Sequence, residues 1–100
     1  MSCRLTQLVD VLESTSAPLL ARAGSGVCYA AFEETAAAAR WMREADARGY
    51  KAIMESAPEG DKETLDLWPT PGPAFETMTR VKQMFDPNRL LNRDRLYRRI

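Results

Sequence analysis

Apolar positions along this chain change their period several times, and each change marks an element. Leu5, Leu8, Val9 and Leu12 recur at helical spacing, which predicts an amphipathic helix over residues 3–14 with those side chains toward a core. Ser14-Thr15-Ser16-Ala17-Pro18 ends it. Residues 19–32 read as extended chain interrupted by Gly24-Ser25-Gly26, and Val27-Cys28-Tyr29-Ala30-Ala31-Phe32 is apolar on both faces, as in a strand covered on both sides. A glycine-bounded triplet can cradle a phosphate, but only when a helix N-terminus follows it. Here a strand follows, so the triplet is expected to be a bulge or tight turn.

A helix is predicted from Thr35, as N-cap, to Arg48. Ala38, Trp41, Met42 and Ala45 share one face, and Arg40, Arg43, Glu44 and Asp46 lie largely on the other. Gly49 suits the position just past its end, where a positive φ is needed. Trp41 and Met42 are expected to be core rather than a cofactor wall. Residues 51–57 read as a second strand, completing a βαβ-like unit. So few strands do not make an independently covered sheet, so the rest comes from another part of a longer chain or from a second copy. Glu59 to Leu67 allows a short helix, and Trp68-Pro69-Thr70-Pro71-Gly72-Pro73 is a stiff crossing segment. Pro73 opens a last helix, with Ala74, Met78, Val81 and Phe85 on one side. Asp86 can cap a turn that starts at Pro87, and Asn92 tolerates the left-handed angles of a chain reversal. The fold class is therefore α+β: a small antiparallel or mixed sheet with helices packed on one face.

Charge narrows the function. Fourteen basic and fourteen acidic residues cancel, so no global field draws nucleic acid or anionic lipid. Locally, residues 55–66 hold five acids against one lysine, and residues 80–100 hold seven basic side chains against two acids, ending in Arg95, Arg98 and Arg99. Apart from Tyr97, aromatics are not interleaved with that basic tail, which argues against nucleic-acid binding. No apolar run is long enough to span a bilayer and no signal peptide is evident, so a cytoplasmic chain without membrane insertion is expected. Cys3 and Cys28 have no metal-ligand spacing and are expected to stay reduced thiols. With no histidine, neither a serine nor a cysteine has its usual activating base.

The closing string Phe85-Asp86-Pro87-Asn88-Arg89-Leu90-Leu91-Asn92-Arg93-Asp94-Arg95 resembles the end of FAD-linked oxidases. There a lysine precedes Phe-Asp-Pro, and Asn-Pro-Gly-Arg or Asn-Pro-Gly-Lys follows. Lys82, Phe85, Asp86, Pro87, Leu91, Asn92 and Arg95 match; Arg93 and Asp94 stand where the family usually has Pro and Gly. Arg22 to Tyr29, the Trp41 helix, Glu55-Ser56-Ala57-Pro58 and Trp68-Pro69 occur in the family's order. The resemblance, over roughly residues 19–97, is closest to the FAD-binding subunit of bacterial glycolate oxidase.

That resemblance implies that residues 1–100 are a single C-terminal cap-domain segment, a partial ferredoxin-like unit, of an FAD-dependent 2-hydroxy-acid oxidoreductase. It implies FAD in the complete protein or complex, not on this chain alone, because the domain that grips the pyrophosphate has no counterpart here. The implied partners are an FAD-binding domain or other oxidase subunits, with a homodimer as a further arrangement. Arg22 and Tyr29 fall where catalytic relatives carry metal-binding histidines, Ser25 and Val27 replace an Asp and an Asn, and Ser56 replaces a histidine after Glu55. Arginine neither accepts nor deprotonates, and one carboxylate rarely holds a transition metal. No catalytic residue and no metal ligand is therefore assigned. Asn92, as a hydrogen-bond partner, and Arg95, as a charge near flavin or an acid substrate, are the cofactor-binding candidates. The alternative function is a non-enzymatic oligomerisation or protein-interaction module.

Overall fold

The computed structural model describes residues 1–97, 99 and 100; Arg98, counted above in the basic tail, lies outside them. The chain forms a small α+β fold that divides into two compact units, Met1–Pro69 and Thr70–Ile100.

In the first unit a 3-10 turn, Leu5–Gln7, leads into helix α1, Leu8–Glu13. The apolar face differs from the expected one. Val11 is wholly buried and Leu8 half-buried, whereas Leu5, Val9 and Leu12 are exposed. The tight first turn does not continue the α period, so the covered face runs through Leu8 and Val11, three apart, instead of through Leu5 and Leu12. Ser14 closes the helix by donating its hydroxyl to the Val11 carbonyl at 2.6 Å.

The extended chain expected over 19–32 is two strands, β1, Leu19–Arg22, and β2, Val27–Ala30, paired antiparallel across the glycine turn, with Leu20 opposite Tyr29 and Arg22 opposite Val27. The strand is not covered on both sides. Cys28 is fully buried while its neighbour Tyr29 is exposed, the alternation of a sheet with one covered face. Gly26 is required here. Its φ is +66°, and a Cβ there would lie 2.1 Å from the Cys3 carbonyl oxygen. That close approach lets Met1–Cys3 lie beside β2. Ser2 bridges Val27 on one side and Lys51 on the other, antiparallel to both.

Helix α2, Thr35–Ala47, presents Trp41 and Ala45 to the core, with Met42 packed beside them, as its pattern predicts. Its N-cap is Glu34, not Thr35. The Thr35 hydroxyl is used elsewhere, donating to Asp61 Oδ2 at 2.6 Å. The other end closes as a Schellman motif: Gly49, at φ +82°, donates to the Asp46 carbonyl and Tyr50 to the Ala45 carbonyl, each at 2.9 Å. Tyr50 and Ala45 are both buried, supplying the apolar contact of that motif.

The strand expected at 51–57 is not formed. Lys51 makes one bridge, and residues 52–57 remain outside any ladder even though burial still alternates from buried Ala52 to exposed Ile53 and half-buried Met54. A strand exists through its neighbour, and past the Ser2 bridge residues 52–57 have no ladder partner among the described residues. Helix α3 is shorter than the expected 59–67, covering Glu59–Lys62.

The second unit holds helix α4, Phe75–Phe85, and the tail. The face expected to be apolar and packed (Ala74, Met78, Val81 and Phe85) is exposed, and no residue of α4 is buried. The half-covered side runs instead through Phe75, Thr79 and Lys82. Phe75 meets the Tyr97 ring edge-on at 5.4 Å and carries the Arg99 guanidinium 5.8 Å from its centroid. The helix folds back on its own tail through this aromatic–cation cluster. No helix among the described residues is long and apolar enough to cross a membrane.

Candidate functional site

The tail turn is built outward from one carboxylate. Asp86 ends α4 with φ −141°, leaving helical geometry, and Pro87 follows with no N–H to satisfy. Its two oxygens accept the Leu90 N–H at 2.8 Å and the Leu91 N–H at 3.0 Å. Lys82, one helical turn earlier, pairs with Oδ2 at 2.6 Å and also donates to the Leu91 carbonyl. Asp86 is only 7% exposed, and all its neighbours favour the ionised form. The Lys82 hydrogen bond first, then the Leu91 and Leu90 N–H groups, lower its pKa from 3.8 to about 2. A carboxylate so fully engaged is a structural anchor and a poor base. The sequence named Lys82 only as a match to the family string; its four-residue spacing from Asp86 was the available signal for the pair.

Past the anchor the backbone reverses. Asn92 has φ 45°, the left-handed region expected of it, and its carbonyl accepts the Arg95 N–H at 3.3 Å. Asp94 has φ 53°. It occupies the position where the resembled family carries glycine, and its backbone angle is the one glycine favours. Asn92 and Arg95 are thus brought together on one turn with both side chains exposed. What they offer is an amide and a permanent cation, a set that binds a carboxylate or the polar edge of a ring system.

The positions that correspond to the family's histidine string lie in the first unit. Arg22 and Tyr29 sit on the hairpin, and Tyr29, Glu55 and Ser56 line a cleft of about 710 Å³ whose floor is Ala38, Trp41 and Met42 of α2. Among the described residues no three His, Cys, Asp or Glu side chains converge as a metal-binding group. Cys28 is the buried thiol beside Cys3. Burial raises its pKa, and the neighbouring Cys3 thiol adds to the shift, so it stays protonated and weakly nucleophilic. Sequence reasoning did not find the cleft, since its lining comes from stretches far apart in the chain, residues 28–35, 38–42 and 52–58.

FAD needs a cradle for its pyrophosphate. The Gly24-Ser25-Gly26 turn does not fit one: β2 follows it, and the space above Gly26 is taken by the Cys3 carbonyl. The exposed Asn92–Arg95 pair fits only an edge contact. No family model, curated protein or solved structure matches the chain.

Proposed function

We propose that this chain is a cap-domain segment, partial ferredoxin-like in plan, of a glycolate-oxidase-like FAD-dependent oxidoreductase, with a structural or cofactor-adjacent role and no catalysis of its own. The observation that supports it best is the tail turn. Asp94, at the place of the glycine in the resembled Asn-Pro-Gly-Arg string, has a left-handed backbone, φ 53°, of the kind glycine favours. The Lys82–Asp86 pair and two N–H groups hold that turn, and Asn92 and Arg95 stand on it exposed toward a partner. The flavin and the groups that grip it belong to that partner, an FAD-binding domain or subunit, and this chain supplies an amide and a guanidinium near the bound ring.

The test is co-elution and flavin absorbance. The purified chain is expected to be colourless alone. Mixed with an FAD-binding domain of a glycolate-oxidase-type protein, it is expected to co-elute with it and to perturb the flavin spectrum. Arg95→Ala is expected to lose the perturbation. Absence of association with any such domain overturns the reading.

A second reading, a protein-interaction module without flavin, is favoured by one specific observation. Met84 and Phe85 are 72% and 78% exposed, and Leu90 and Leu91 stand open beside them in the sequence of the same turn. Large apolar side chains left in water on one small unit mark a surface that another protein covers. Binding of a partner that carries no flavin distinguishes this reading from the first.

A further inference from the structure

Both cysteines of the chain stand on one face of one ladder, although they lie far apart in the sequence. Ser2 pairs with Val27 antiparallel, so Met1 lies opposite Cys28 and Cys3 opposite Gly26. The hydrogen bonds agree: the Cys28 N–H donates to the Met1 carbonyl and the Cys3 N–H to the Gly26 carbonyl, each at 2.9 Å. Residues opposite each other, and residues two apart along a strand, share a face. Cys3 and Cys28 are therefore diagonal neighbours on the side that packs against the core. Burial follows the same division, with Cys28 wholly buried, Cys3 half-buried, and Ser2, pointing the other way, exposed.

No side chain stands between the two thiols. Gly26 holds the intervening place on that face, opposite Cys3 and two residues from Cys28, and it has no Cβ. The Cys3 thiol leans across to this strand and donates to the Gly26 carbonyl at 3.5 Å. It also shares a hydrogen bond with the Cys28 thiol, and both cysteines are free. Diagonal neighbours in a ladder are about 7–8 Å apart, against about 5.5–6 Å between the Cα atoms of a relaxed disulfide. A bond between them needs a shift of about 1–2 Å and forms under strain. Strained disulfides are the easily reduced ones, which suits a reversible link and not a permanent staple.

We propose that Cys3 and Cys28 close a reversible disulfide, a redox-sensitive latch that ties Met1–Cys3 to β2, with a low-molecular-weight disulfide as the oxidant. Access sets the order of events. The half-buried Cys3 thiolate attacks one sulfur of the oxidant, the S–S bond there breaks, and the departing thiolate takes up a proton. Cys28, which solvent does not reach, then loses its proton as its sulfur displaces the second small thiol from Cys3. The protein gives up two electrons and two protons, and one small disulfide becomes two small thiols. Cys28 is a weak nucleophile alone, but the mixed disulfide is held against it, so the second step is a local one. Ser2 also bridges Lys51, so the closed latch fixes the junction between β2 and residue 51 as well. The inference lies within the first unit and is independent of the flavin reading.

Thiol mapping by mass spectrometry on the full folded chain tests it, with oxidised glutathione as the probe. A Cys3–Cys28 link within one chain is expected, and an excess of reduced glutathione is expected to open it again. In the oxidised chain the Ser2 and Cys3 amides are expected to exchange about tenfold or more slowly. Cys28→Ala is expected to stop at a stable glutathione adduct on Cys3, and Cys3→Ala to leave Cys28 unmodified. Should either variant fail to fold, pulse alkylation of the unaltered chain during oxidation gives the same order, with glutathione found on Cys3 and never on Cys28. A link that forms only when urea is added overturns the proposal, since the thiols then meet only in the unfolded chain. So does glutathione that stays on Cys3 of the unaltered chain, a link that joins two copies, or one that reduced glutathione leaves intact.

Discussion

Residues Met1–Pro69 bury Val11, Cys28, Trp41, Ala45, Tyr50 and Ala52 in one cluster, whereas the described residues of Thr70–Ile100 bury a single side chain, the Asp86 carboxylate. The first unit is ordered by removing apolar surface from water, a term that grows with area and is indifferent to direction. The second is ordered by directed bonds converging on two carboxylate oxygens, with a ring–ring and a ring–cation contact behind them. The contrast shows that a helical apolar stripe is not by itself a core. Met78, Val81 and Phe85 on α4 have the same spacing as Ala38, Trp41 and Ala45 on α2, yet only the α2 stripe is covered. A core forms where chain is at hand to cover the stripe, and β2, Met1–Cys3 and Tyr50 supply that cover for α2.

The sharpest way to break the contrast is to remove the centre of the apolar unit. Trp41→Ala deletes the ring that packs against Phe32 at 5.5 Å and the indole N–H that donates to the Ser14 hydroxyl at 3.0 Å. It is expected to cost about 3–5 kcal/mol, enough to unfold a marginal unit, measured by urea titration of the far-ultraviolet dichroism. In the polar unit Asp86→Ala removes both acceptors at once. The Leu90 and Leu91 amides are expected to exchange about tenfold or more faster while the Cys28 amide in the first unit keeps its protection. Equal loss in both units would mean that they do not order independently.

Acid separates the two units without mutation. The folded-state pKa of Asp86 is lowered, so the ionised turn is favoured above the unfolded value of 3.8, and that stabilisation is lost as pH falls through about 2. The Leu90 and Leu91 amides are expected to lose protection progressively between about pH 4 and about pH 2. Retention of that protection at the lower end removes Asp86 as the anchor. A smaller effect of opposite sign is expected at Asp94. Asp94→Gly relieves a left-handed residue at φ 53° and gives up only an exposed 3.3 Å pair with Arg89, so it raises stability by up to about 1 kcal/mol. Least of all, Phe85→Ser is expected to change stability by no more than about 0.5 kcal/mol, because that ring is already in water. A larger loss shows that Phe85 is covered in solution, which favours the interaction reading.

Local rules were legible in the sequence where one residue type answers one backbone demand. Gly49 at the end of α2, Asn92 in the reversed turn, the glycine turn between β1 and β2, and Asp86 as a cap all follow from their own chemistry. Helix α2 was legible because thirteen residues carry the period over several turns. What the pattern left hidden depends on partners distant in sequence. The one bridge made by 51–57, at Lys51, comes from Ser2, about fifty residues earlier. Which face of α1 is covered is decided by a tight turn that shifts the period by a fraction of a residue. Thr35 looks like an N-cap until Asp61 takes its hydroxyl. For the candidate site, Asn92 and Arg95 come together on one turn because they are three apart, whereas the cleft, whose walls come from β2 and residues 53–58, has no sequence signature at all.

Both tryptophans of the chain, Trp41 and Trp68, belong to Met1–Pro69, and the segment after Thr70 has tyrosine and phenylalanine only. Intrinsic indole emission therefore monitors one half of the molecule. A melting curve recorded at that wavelength passes over the Lys82–Asp86 turn, and a reporter placed near Tyr97 is required to watch the two halves come apart separately.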